Sequence, residues 1–72
     1  MRTFSASALA EARTRAGMSR DDLAAALGLS CHAVKSWEWS QRYPRGQRLA
    51  QLADVLDCSI ERFFVREGSR DA

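Results

Sequence analysis

The sequence predicts an all-α fold, and three observations carry that expectation. Proline, which interrupts helices, occurs once, at Pro44. β-branched residues are few (Thr3, Thr14, Val34, Val55, Ile60 and Val65), and no segment alternates apolar and polar residues as a half-buried strand would. Apolar residues recur instead at three- and four-residue spacing, between serines that suit helix starts and glycines that suit helix stops.

Five helices are expected. The first covers about residues 5–16: Leu9, Ala12 and Ala16 share a face, Phe4 stands at its entrance and Gly17 stops it. The second covers about 20–27. Ser19 can cap its free amides, Asp21 and Asp22 suit the positive end of its dipole, and Leu23, Ala24 and Leu27 form its apolar face before Gly28. The third follows Ser30 and covers 31 to 38 or 39, with Ala33 or Val34 and Trp37 turned inward. Residues 40–46, holding Pro44 and Gly46, read as a loop. The fourth, about 47–56, has the clearest period: Leu49, Leu52, Ala53 and Leu56. Ser59 opens a fifth helix to about Val65, with Ile60, Phe63 and Phe64 apolar, and a polar tail covers 66–72. Only Gly28, Leu29 and Ser30 separate helices two and three. So short a connector makes two short helices cross steeply, which is a helix-turn-helix.

Size and composition bound the function. At 72 residues the chain is expected to be one domain with its core in about 5–65, too small for a two-domain enzyme. No apolar run approaches the roughly 20 residues that span a bilayer. Glu11 interrupts what begins like a targeting peptide, so the sequence reads as cytoplasmic. Cys31 and Cys58 are too few for a disulfide framework, and the Cys31-His32 neighbours have no second pair to complete a metal site. No cofactor is expected. One histidine, no Gly-rich phosphate loop and no room for a closed pocket argue against an enzyme.

The net charge is only +2, but residues 23–48 carry Lys35, Arg42, Arg45 and Arg48 against Glu38 alone. Residues 49–72 carry three arginines against five acids. Positive charge therefore gathers around the third helix and its following loop, a footprint for an anionic partner or else a solvated face. Arg42 and Arg45 flank Pro44, where a phosphate clamp is the natural use. Trp37 and Trp39, two positions apart on one helix, cannot both face the same core.

The stretches G-M-S (17–19), L-A-x-x-L-G-L-S (23–30), V-x-x-W-E (34–38) and L-A-x-L-A-D-V-L-x-x-S-I-x-x-F-F (49–64) together resemble the Cro/repressor-type helix-turn-helix family, the xenobiotic-response-element-like regulators of bacteria and phages. The resemblance covers about residues 8–65. It implies a five-helix, lambda-repressor-like DNA-binding domain with helix three in the major groove of double-stranded DNA. By position it implies base contacts from Cys31, His32, Lys35 and Ser36, and backbone contacts from Arg20, Gln41 and Arg42. It also implies a buried ion pair between Arg13 and Glu38, and core places for Leu23, Ala24, Leu27, Leu29, Val34, Trp37, Leu49, Leu52, Ala53 and Leu56.

The base-reading set lacks the Arg and Gln that make strong bidentate contacts, so dimerisation and DNA shape are expected to supply part of the specificity. A nucleoid-associated transcriptional regulator, a homodimeric repressor on a pseudo-palindrome, is the leading expectation. Phe64 is a candidate for the self-association surface, with a place in the core as the alternative. A protein-interaction module of the same fold, such as an antitoxin or adaptor, is the second reading. Trp39-Ser40 departs from the Asn-Gly that the family has after its third helix. Ser40 is then either strained or preceded by a longer helix, and the role of Trp39 is open.

Overall fold

A computed structural model of the protein describes residues 2–66. The order is β1 (Arg2–Phe4), α1 (Ala6–Arg15), α2 (Arg20–Leu27), α3 (Cys31–Glu38), α4 (Gly46–Leu56), a 3-10 turn (Ile60–Phe63) and β2 (Phe64–Arg66). Among the described residues the fold is mostly helical, with four α-helices and a small sheet.

The helix boundaries follow from local chemistry. Ser5 caps α1, its Oγ accepting from the Ala8 N–H at 3.1 Å. Ser19 caps α2 reciprocally: its Oγ accepts from the Asp22 N–H, and Asp22 Oδ2 accepts from the Ser19 N–H, each at 3.0 Å. These bonds, the backbone one foremost, hold the Asp22 carboxyl below its ordinary acidity value. Gly28 ends α2 in the left-handed region at φ 73°. Ser30 and Ser59 occupy the N-cap places of α3 and the 3-10 turn, but neither side chain makes a capping bond.

A fifth α-helix does not form, and the expectation of no strands is corrected as well. The chain makes one 3-10 turn over Ile60–Phe63 and then extends as β2, which pairs antiparallel with β1, Arg2 opposite Arg66 and Phe4 opposite Phe64. Arg66, expected to open the polar tail, lies in that strand; residues 67–72 of the expected tail lie outside the described residues. Phe63, fully buried, anchors the turn under α1, and its carbonyl accepts from the Ser5 N–H at 2.7 Å. That bond joins the end of the fold to its beginning.

The core is Leu9, Ala12, Leu23, Ala24, Val34, Trp37, Leu52, Ala53, Leu56 and Phe63. Leu27, Leu29, Leu49 and Phe64 pack against it, partly buried. Phe64 meets Phe4 edge-on at 6.2 Å, so the exposed apolar residues of the closing segment are Ile60 and Val65. Both cysteines are free. No helix among the described residues is long and apolar enough to cross a membrane.

Candidate nucleic-acid interface

The candidate interface is built on α3 and the loop after it. Val34 and Trp37 turn inward and fix the rotation of α3 about its axis. Trp37 is 7% exposed, whereas Trp39, the C-cap of the same helix, is 57% exposed. With that rotation His32 is exposed, and Cys31 and Lys35 are half-exposed on the outer side. Ser36 is set deeper than these three. It is 4% exposed, and its hydroxyl donates to the Ala33 carbonyl at 2.7 Å, so its one donor is already engaged. Its own carbonyl accepts from the Gln41 and Arg42 amides at 2.9 and 3.2 Å, so its visible work is to tie down the loop.

That loop is held at both ends. Ser40 takes the left-handed conformation at φ 61°, the strained alternative rather than a longer helix. Pro44 is buried, and the exposed Tyr43 meets Phe4 of β1 edge-on at 5.9 Å. Gln41, Arg42 and Arg45 are left exposed between these anchors. Among the described residues neither Arg42 nor Arg45 has an ion-pair partner.

Beneath the surface lies a three-residue charge network. Arg13 Nε donates to Glu38 Oε2 at 2.7 Å, and Arg13 Nη1 donates to the Met18 carbonyl at 2.8 Å. Arg20 Nε donates to the other carboxylate oxygen, Oε1, at 2.9 Å. The Glu38 side chain is 2% exposed, against 15% for Arg13 and 37% for Arg20. One buried carboxylate thus holds two guanidiniums and welds α1, α2 and α3 together. Two cations on one anion leave a surplus positive charge, and Arg20, the more exposed partner, presents it.

Two open grooves flank α3. Arg20, Cys31 and Lys35 line one, together with Arg13, Ser19 and Asp21. His32, Ala33 and Ser36 line the other, along with Arg42 and Arg48. Of the expected contact residues, Arg20, Cys31 and Lys35 thus line the first groove and His32, Ser36 and Arg42 the second, while Gln41 and Arg45 line neither. In the first groove a hydrogen bond to Asp21, then burial, pushes the Cys31 thiol above its usual range, so at neutral pH it adds no negative charge.

One feature escaped sequence reasoning. The Arg20–Glu38 bond is tertiary and has no local signature. Trp39 did have one: residues 32, 35 and 39 fall at i, i+3 and i+7, one face of a helix, so Trp39 shares the outer face with His32 and Lys35. The Lys35 ammonium lies over its ring at 5.9 Å from the centroid, and the Arg20 guanidinium at 6.0 Å.

Known proteins add one finding. A helix-turn-helix family model matches residues 9–63, from within α1 to the end of the 3-10 turn. Among curated proteins none matches the chain. The match takes in every core residue, the α2–α3 pair and the loop behind it, and it covers well over half of the sequence. The chain belongs to the Cro/C1-type helix-turn-helix family of DNA-binding regulators.

Proposed function

We propose that the protein is a sequence-specific transcriptional repressor that binds a pseudo-palindromic operator as a homodimer, with α3 in the major groove. The observation that carries this reading is the outer side of α3, where exposed His32 and half-exposed Lys35 stand between two grooves lined by arginines. Eight residues make α3 roughly 12 Å long, which suits a major groove about 12 Å wide. His32 and Lys35 can donate to guanine N7 or O6, and Cys31 is small enough to meet a thymine methyl. Arg20, Gln41, Arg42 and Arg45 fit phosphate contacts that set the register without reading sequence. Exposed Ile60 and Val65 supply apolar surface for the second copy.

Selection of duplexes from a random pool tests this directly. The expected product is an inverted repeat with half-site centres about 34 Å apart, bound with an affinity that falls steeply with salt. Failure to enrich any sequence overturns the reading. The same Ile60 and Val65 surface also favours a protein-interaction module that meets a different chain. A monomer in solution that enriches no duplex and co-purifies with one stoichiometric partner would establish that alternative.

A further inference from the structure

The outer side of α3 holds an arrangement that base reading and phosphate clamping do not account for. Two cations from different helices, Arg20 at the start of α2 and Lys35 in the middle of α3, approach one indole. Like charges repel, and among the described residues no carboxylate ion-pairs with Lys35. Glu38 holds Arg20 from below but already serves Arg13. Asp21 lines the same groove as Lys35 without forming an ion pair with it, and Trp39 adds a π face that favours a cation close to the ring.

Resting on the DNA-binding reading above, we propose that Trp39 is a positioning residue. Its ring gathers Lys35 and Arg20 into one pre-ordered cation pair that meets the DNA backbone beside the first groove. Lysine and arginine side chains each lose much rotamer freedom when they are fixed at an interface. Cations already held over a ring lose less of it on binding, so the gain appears as affinity with no contact from Trp39 to DNA. The ring can do this because it is the C-cap of α3, four residues after Lys35, with Ser40 turning the chain away behind it.

Side-chain NMR of the free protein and anisotropy titration of a labelled duplex enriched by the wild-type chain test the proposal together. The Lys35 and Arg20 methylene protons are expected to be shifted upfield by the indole, and to return to ordinary values in Trp39→Ala. Trp39→Ala is expected to weaken binding about 5- to 30-fold with an unchanged melting temperature. Trp39→Phe should keep more affinity than Trp39→Leu, which has bulk but no π face. In a Lys35→Ala background the loss from Trp39→Ala should shrink.

Ordinary proton shifts overturn the proposal without reference to DNA. So does wild-type affinity in Trp39→Ala, equal affinity in the Phe and Leu variants, or a full additive loss in the Lys35→Ala background, which would mean that the ring touches DNA itself. In each of those cases the wild-type chain still binds its duplex and the DNA-binding reading survives. A wild-type chain that enriches no duplex overturns that reading and this one with it, whatever the proton shifts.

Discussion

The two sides of α3 are built to opposite specifications. The inner side carries Val34 and Trp37 in the core and Glu38 under two arginines, every group packed or paired. The outer side carries His32, Lys35 and Trp39, with charge and aromatic surface turned to solvent. One short helix and its C-cap therefore divide the work of the domain: the inner side fixes where the helix sits, and the outer side is free to vary what it meets. Substitutions should separate accordingly, those inside changing stability and those outside changing binding.

Trp37→Ala is the most severe test. Removing a large buried ring should cost about 3–5 kcal/mol, of the order of a small domain's whole stability, so urea denaturation should find the variant largely unfolded. If it melts like the wild type, the division is false. Glu38→Ala comes next, at roughly 3 kcal/mol, because it leaves Arg13 partly buried without its carboxylate and releases Arg20. It should lower stability and DNA affinity together, since Glu38 braces the outer side from within.

His32→Ala sharpens the comparison from outside. Its stability change should stay within about 0.5 kcal/mol, while discrimination at one base position relaxes by about 1–3 kcal/mol in competition titrations. Ser40→Gly should stabilise the fold by about 1 kcal/mol, because glycine takes the left-handed turn without the strain that serine bears, and the melting curve should rise.

The smallest effect is at Cys31. Its hydrogen bond to Asp21 favours the neutral thiol, so the contribution is present at neutral pH and is lost as pH rises past the ordinary value of 9.0 through the raised folded one. Alkylation at pH 7 should run slower than for an unstructured peptide cysteine and speed up in Asp21→Asn.

Where structure depended on neighbouring residues, it was legible in the sequence. Ser19, Asp22 and Gly28 bound α2 by bonds that span three or four residues, and its limits can be read from them. The all-helical expectation failed where the cause was distant. Ile60, Phe63 and Phe64 have helical spacing, yet Phe64–Arg66 is drawn into a strand by Arg2–Phe4, more than fifty residues earlier. The low exposure of Ser36 was hidden for a related reason. Its place at the edge of the outer arc suggests exposure, but the chain returns so that the Gln41 and Arg42 amides bond its carbonyl, and no periodicity in α3 encodes that. Of the candidate interface, the exposure of His32, Arg42 and Arg45 and the half-exposure of Lys35 agree with the outward places that charge and motif suggested. The Arg20–Glu38 bond was not legible, because two helices must first pack before those side chains can meet.

The pairing of β1 with β2 has a practical corollary. Antiparallel neighbours in a sheet lie about 5 Å apart, so the backbone at Arg2 and Arg66 adjoins although nearly the whole fold lies between them in sequence. The domain is thus a cassette with a single narrow doorway. Spliced through that doorway into a surface hairpin of another protein, it asks the host to open no wider than one strand spacing. Both host strands would then run straight on into β1 and out of β2.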